Sequence, residues 1–204
     1  MEMPTFERRV SKETIGCPRP FNACADPVVC NGMGLYLQVA KQVVTEAYWW
    51  CGECSNTERF TLEIACHIVP GRTLESVHEL GVEAFAAAGG DAVDDLQMTC
   101  VRVLLAVEMA IVDHEVKRAL AAAVGWEVEA NHKLKQLGFV ARAGQQRLKK
   151  LLEEGLRRFK LQVPTVKTQE WTAFGTLEDC SRWVQSAVKT ELLHEVMERC
   201  YPSP

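Results

Sequence analysis

The stretch Met98-Thr-Cys-Val-Arg-Val-Leu-Leu-Ala-Val-Glu-Met-Ala-Ile-Val112 is the longest apolar run of the chain and the strongest indication of its architecture. Polar side chains interrupt it at Thr99, Arg102 and Glu108. A helix that is apolar on almost every side has to be buried, so this stretch predicts the central helix of the core. It is too short to cross a bilayer, so we expect no membrane span.

Glu108 within this helix needs an explanation, because a buried carboxylate must be paired or protonated. Arg102 lies six residues away and therefore does not share its face of the helix. We expect another element to supply the partner. The simpler interpretation is that the apolar run has a polar end, since Asp113, His114 and Glu115 follow it.

The sequence predicts three further helices around the core helix, two of them from capping patterns. Thr73 is a favourable N-cap, and Thr176 with Asp179 resembles a capping box, after which Pro202 ends the chain's last helix. The predicted helices are Leu74–Ala88, Asp91–Val124, Trp126–Leu161 and Leu177–Cys200. They would form a bundle of about four helices.

The first third of the chain lacks the regular helical pattern of the remainder. Residues 1–32 are rich in proline and cysteine and show no helical or strand period, which indicates an irregular arm. Gly34–Trp50 has apolar residues at helical spacing, so we favour a helix there, although its first residues also alternate like a strand. Phe60–Ile68 alternates between apolar and polar residues and predicts a half-buried strand.

The expected fold class is therefore α+β and mostly α. A small Cys-rich, zinc-stapled N-terminal module would pack on the bundle of about four helices. We divide the chain into residues 1–70 as the Cys-rich metal-binding module and residues 71–161 as the helical core with a basic helix. Residues 162–204 would form a connector and a C-terminal helix that packs on the same bundle.

The nine cysteines bear on the compartment. Their number is odd, and a chain of 204 residues is too large to need disulfide bonds for stability. Met1–Cys17 contains charged residues and no apolar segment typical of a signal peptide. We expect a reducing cytoplasmic or nuclear location, where clustered cysteines favour metal over disulfides.

The motif Cys51-Gly52-Glu53-Cys54 is the strongest candidate for a site. A Cys-x-x-Cys pair holds two thiolates at a spacing that suits a tetrahedral zinc ion. A redox use is less favoured, since turn-forming residues follow the pair where a thioredoxin-type motif would open a helix. The alternative to a metal site is a set of free buried thiols. The predicted ligands of one zinc ion are Cys30, Cys51, Cys54 and His67, with Cys17, Cys24 or Cys66 as substitutes.

A second pattern, Glu-x-x-His, occurs at Glu75–His78, Glu129–His132 and Glu191–His194. The two side chains of such a pair share a helix face, and ferritin-like di-iron carboxylate bundles combine these pairs with single glutamates from other helices. The first pair falls in the opening turn of a short helix, which is a poor position for a metal in mid-bundle. The simpler interpretation is that these pairs are solvent-exposed helix residues that bind no metal.

The segment 133–160 carries nine basic side chains against two acidic ones, on a chain whose formal net charge is −4. Basic amphipathic helices bind acidic proteins, membranes or nucleic acid phosphates. A solvated face that balances the acidic remainder is the simpler account, and no interleaved aromatic residues suggest base stacking. The candidate partner-binding residues are Lys149, Lys150, Arg157 and Arg158.

These observations favour a non-enzymatic function. The sequence contains no nucleophile elbow, phosphate-binding glycine loop or dinucleotide fingerprint. We expect an intracellular, zinc-stabilised helical interaction or regulatory protein, an adaptor of cellular or viral type whose partner is another protein or a second copy of the chain. The alternatives are a ferritin-like di-iron enzyme and a nucleic-acid-binding factor that uses the basic helix, and we expect no membrane partner.

Overall fold

The computed structural model describes residues 6–10, 17, 20–89, 96–124, 150, 153–157 and 177–201. The strands are β1 (Ala23–Ala25), β2 (Met33–Ala40) and β3 (Val43–Cys51). The helices are α1 (Asn56–Ile68), α2 (Leu74–His78), α3 (Val82–Gly89), α4 (Leu96–Val124) and α5 (Leu177–Cys200). The fold is therefore α+β and mostly helical, as predicted.

The three strands form one antiparallel sheet in the order β1-β2-β3. The helix predicted over Gly34–Trp50 is wrong, because this stretch is a hairpin of β2 and β3. Lys41 and Gln42 reverse the chain, and both have positive φ angles, 51° and 65°, as a tight hairpin turn requires. Nearly every residue of β2 is buried, on both faces of the sheet. A strand that is buried on both faces reads as a continuous apolar run, which hides its period of two.

The strand predicted over Phe60–Ile68 is also wrong, because these residues belong to helix α1. Ser55 accepts a hydrogen bond from the Glu58 N–H, and the Glu58 carboxylate accepts one from the Ser55 N–H, which makes a capping box. The residues taken for a turn after Cys54 are therefore the start of a helix. Most residues from 58 to 66 are buried against the sheet and α4, so the apolar residues are not confined to one stripe.

Helix α4 is the central core element, as its sequence predicts. All side chains from Val103 to Lys117 are buried, and the helix contacts β1, β2, α1, α3 and α5. The sheet, α1, α4 and α5 contribute to a single hydrophobic core. None of the helices in the described part of the chain combines the length and hydropathy that a membrane span requires.

The other predicted helices are matched to different degrees. The C-terminal helix has the predicted bounds, whereas Leu74–Ala88 is split into α2 and α3 near Gly81. The predicted helix over Trp126–Leu161 lies largely outside the described residues, of which 150 and 153–157 are helical. The predicted connector before α5 lies outside them as well. The division into three regions stays a prediction.

Candidate metal centre

Cys51 and Cys54 lie between the end of a strand and the start of a helix. Cys51 is the last residue of β3, and Cys54 directly precedes Ser55, the N-cap of α1. Their sulfur atoms are bonded to each other, with the Cα atoms 5.9 Å apart. Cys51 is buried and Cys54 is half-buried, so the pair is reached from solvent through Cys54. A helix therefore follows this pair directly, where turn-forming residues were expected.

The N-terminus of α1 provides a favourable setting for negative charge on these sulfurs. Unpaired N–H groups in the first turn of a helix carry partial positive charge, which stabilises a nearby thiolate. Glu58 lies in this turn and would oppose the effect, but its carboxylate forms an ion pair with Arg102 of α4. The sulfurs of Cys51 and Cys54 therefore lie beside the partial positive charge of a helix N-terminus.

Cys30 lies at the same end of the hairpin, but its sulfur does not form a group of ligand atoms within 4.8 Å of one another with those of Cys51 and Cys54. Its carbonyl accepts a hydrogen bond from the Met33 N–H at 3.2 Å, and Met33 is the register partner of Cys51. The Gly52 N–H donates to the Gly32 carbonyl at 3.2 Å, which ties the turn before β2 to the motif. Burial raises the pKa of the Cys30 thiol to about 12. A metal ion that binds there has to displace the thiol proton.

His67 does not join these cysteines in this structure. It lies in the last turn of α1, a helix of 13 residues. Because an α-helix rises about 1.5 Å per residue, His67 is about 18 Å from the end of α1 where Cys54 lies. The His67 ring is half exposed and contacts the Glu63 carboxylate at 3.2 Å. The predicted substitute Cys66 is buried in α1, and burial raises the pKa of its thiol.

A different group brings three ligand atoms together. The sulfurs of Cys17 and Cys24 and a carboxylate oxygen of Asp113 all lie within 4.8 Å of one another, an arrangement that could hold a metal ion. Cys17 and Cys24 form a disulfide in this structure. The sequence marks both cysteines as substitute ligands. The sequence does not mark Asp113 as a ligand, because its position predicts only the polar end of a buried helix.

Asp113 is the centre of a buried hydrogen-bond network. Its Oδ2 accepts hydrogen bonds from the Cys24 N–H at 2.8 Å and from Lys117 Nζ at 2.5 Å. Its Oδ1 accepts one from Ser181 Oγ at 2.5 Å. Gln185 Nε2 donates to the Ser181 hydroxyl at 3.2 Å and to the Cys24 carbonyl at 3.3 Å. Residues from β1, α4 and α5 therefore meet at one carboxylate.

Glu108 obtains its partners from two other helices, as predicted. Its Oε1 contacts Nδ1 of His78 in α2 at 2.9 Å and accepts a hydrogen bond from Nη2 of Arg199 in α5 at 2.7 Å. The carboxylate that the di-iron alternative would use as a ligand is thus hydrogen-bonded to a guanidinium. Within the described residues, no Glu-x-x-His pair belongs to a group of ligand atoms close enough to hold a metal. The pair Glu129–His132 lies outside them.

The candidate partner-binding residues are described in part. Lys150 and Arg157 are exposed, whereas Lys149 and Arg158 lie outside the described residues. The use of this surface stays a prediction. No protein-family profile, curated protein or solved structure matches the chain, so the argument for its function rests on its own residues.

Proposed function

We propose that this chain is an intracellular, thiol-based metal-binding protein that exerts an interaction or regulatory function. In the reduced protein, Cys51 and Cys54 hold one soft metal ion, with zinc as the first choice, and the Cys30 side chain moves toward them to supply a third ligand. The observation that carries this proposal is the juxtaposition of the Cys51 and Cys54 sulfurs at the N-terminus of α1. Disulfide and metal are alternative states of this pair, so the metal-bound state requires a reducing environment.

The ligand chemistry supports a soft metal. Thiolates select zinc, copper(I) or iron–sulfur clusters over hard cations such as magnesium and calcium. Three thiolates on one divalent ion leave a net charge of −1, which the helix N-terminus stabilises. The turn that carries Cys30 is held in place by Lys189 of α5, whose Nζ donates to the Val29 carbonyl at 2.6 Å. This hydrogen bond helps to keep the Cys30 turn at the end of the hairpin where Cys51 lies.

The fourth coordination position links the metal to a binding function. His67 is too far from the pair to fill this position. Closed structural zinc sites have four protein ligands, whereas sites with three keep an open position for water or an incoming group. Gly52 and Glu53, beside Cys54, are exposed. We place the open position there, where a side chain of a partner protein completes the coordination.

The test is the metal and acid-labile sulfide content of protein purified under reducing conditions without oxygen. We expect Cys51→Ser and Cys54→Ser each to contain about one metal equivalent fewer than the wild type. Sulfide distinguishes an iron–sulfur cluster from zinc. Cys180→Ser is the matched control, because Cys180 is a free buried thiol on α5. Wild-type protein without metal, or metal content unchanged in both motif variants, would contradict the proposal.

Thiol–disulfide exchange is a second candidate, and the observed Cys51–Cys54 bond favours it. The half-buried Cys54 would attack a substrate disulfide, and the buried Cys51 would release the product by attacking Cys54 Sγ. Catalytic turnover of a glutathione-type disulfide by the metal-free protein, with an added dithiol that reduces the Cys51–Cys54 disulfide after each cycle, would favour this function over metal binding if it is abolished in Cys54→Ser.

A further inference from the structure

A small cavity lies between β1, α4 and α5, beside the Cys17–Cys24 disulfide. Its volume is about 20 Å³, which is enough for one water molecule or one metal ion. The cavity is lined by Cys17, Cys24, Asp113, Lys117, Ser181 and Gln185, among other residues. It therefore opens onto the three ligand atoms that lie within 4.8 Å of one another.

We propose that reduction of the Cys17–Cys24 disulfide converts this cavity into a second metal site, in which Cys17, Cys24 and Asp113 bind a zinc-class divalent ion. The site is separate from the pair Cys51–Cys54, so it does not rest on the function proposed above. In the oxidised protein both sulfurs are bonded to each other and the site is closed. The redox state of one cysteine pair then decides whether the ion binds.

The charges around the cavity suit a divalent cation. Two thiolates and the Asp113 carboxylate contribute −3, a divalent ion contributes +2, and the Lys117 ammonium contributes +1, so the buried set is neutral. Asp26 also lines the cavity, but its carboxylate pairs with Nε of Arg182 at 2.7 Å. Glu178, at the start of α5, adds a further negative charge to the lining. The reduced cavity without a metal would hold an excess of negative charge if its thiols ionised.

The hydrogen bonds of Asp113 already resemble those of a metal-ligating carboxylate. Such ligands are held in place by outer hydrogen-bond donors, which fix their orientation. Lys117 and the Cys24 N–H donate hydrogen bonds to Oδ2, and the Ser181 hydroxyl donates one to Oδ1. A carboxylate has about four lone-pair positions, so one position on Oδ1 is available for the ion. Lys117 keeps its hydrogen bond and acts as an outer-sphere cation.

The redox step balances with a thiol reductant. Two molecules of a glutathione-type thiol reduce the Cys17–Cys24 disulfide by two successive exchange reactions, which give two protein thiols and one disulfide of the reductant. Zinc binding then releases the two thiol protons to solvent as the sulfur–metal bonds form. Oxidation by a disulfide of the same class reverses both steps and expels the ion.

The test is a zinc titration of the full chain without oxygen, after reduction by a phosphine and removal of metal. We expect Cys17→Ser and Asp113→Asn each to bind about one zinc equivalent fewer than wild type. Cys180→Ser should bind as much as wild type. Protein that is left oxidised should bind no zinc at this site. Equal zinc binding by wild type, Cys17→Ser and Asp113→Asn would overturn the proposal.

The same titration separates this site from the proposed function. If Cys54→Ser loses zinc and Cys17→Ser does not, the second site is overturned and the proposed function stands. If Cys17→Ser loses zinc and Cys54→Ser does not, the proposed function is overturned and the second site stands. Cys17 is half-buried on the N-terminal arm, so Cys17→Ser remains informative if Asp113→Asn does not fold. Cobalt(II) provides an independent readout, because its sulfur-to-metal absorption should weaken in Cys17→Ser and persist in Ser181→Ala.

Discussion

The backbone N–H of Cys24 donates to Oδ2 of Asp113 at 2.8 Å, so a side chain of the central helix completes the free edge of the sheet. Cys24 lies in the edge strand β1, and its carbonyl accepts a hydrogen bond from Gln185 of α5. Edge strands otherwise present unpaired backbone groups that invite pairing with another chain. Two helices satisfy them here and fix β1 against the core.

Asp113→Ala should therefore cause a large loss of stability. The substitution leaves the Lys117 ammonium, which is almost fully buried, without its carboxylate partner. Removing one member of a buried ion pair typically costs about 3–5 kcal/mol. Ser181→Ala is the matched control, because it removes one hydrogen bond to the same carboxylate and should cost about 1 kcal/mol. Urea unfolding of both variants measures the difference, and equal losses would contradict the role of Lys117.

Glu63 should hold the N-terminal arm against the sheet. Its carboxylate accepts hydrogen bonds from Nε1 of Trp49 at 2.7 Å and from the N–H groups of Glu7 and Arg8 at 3.1 Å. Hydrogen bonds to a charged group are each worth about 1.5–3 kcal/mol. We expect Glu63→Ala to expose residues 6–10 to limited proteolysis and to lower the melting temperature.

The control for this prediction is His67→Ala. Its half-exposed ring contacts Glu63 from the solvent side, so its loss should cost no more than about 1 kcal/mol, as is typical of exposed ion pairs. Proteolysis of the arm should then proceed at the wild-type rate. An arm that is released equally in both variants would show that Glu63 is not its anchor.

Glu108→Gln tests the di-iron alternative against a structural role. The glutamine keeps an acceptor for Arg199 and His78 but loses the charge, so we expect a loss of about 1–3 kcal/mol. The metal content should stay unchanged. Glu191→Gln changes a half-buried member of another Glu-x-x-His pair and should have little effect on stability. Iron in the wild type that is lost in Glu108→Gln would restore the enzyme hypothesis.

The buried free thiols should be unreactive in the native state. Burial raises the pKa of Cys180 to about 12, and that of Cys66 is raised by the same cause. At pH 8 the thiolate fraction of Cys180 is then about one part in ten thousand, and the thiolate is the reactive form. Alkylation of reduced native protein followed by mass spectrometry should label Cys54 long before Cys66 or Cys180. Labelling of all three at similar rates would contradict the burial of the latter two.

The helical part of the fold could be predicted because its signals are local. The apolar run of α4 and the length of α5 follow from residues that are neighbours in sequence. The hairpin could not be read in the same way, since the turn at Lys41 and Gln42 lacks the asparagine or glycine that usually marks it. The capping box at Ser55 is a signal for helix in the sequence, whereas the alternation of Phe60–Ile68 predicts a strand.

The candidate site shows where sequence reasoning ends. Cys51 and Cys54 were found from their spacing alone, and Cys30 lies at the same end of the hairpin. Asp113 is 89 residues from Cys24 in sequence, so their contact depends on how α4 packs against the edge strand. The choice of His67 rests on the face opposite Cys66 that it would occupy on a strand, whereas in helix α1 it lies in the last turn, at the end far from Cys54.

Charge reversal should show whether the basic segment is a binding site. Lys150 and Arg157 are exposed, so their replacement by glutamate together with Lys149 and Arg158 should leave the fold intact, as circular dichroism and thermal melting would show. Exposed charge pairs contribute about 0–1 kcal/mol each.

If the segment binds nucleic acid, the wild-type affinity must fall steeply with salt, because each neutralised phosphate releases counterions. We expect no such binding at physiological ionic strength, and we expect the reversal to weaken a protein contact or self-association, measured by sedimentation. Submicromolar, strongly salt-dependent affinity of the wild type for RNA or DNA, lost in the variant, would make nucleic acid the partner instead.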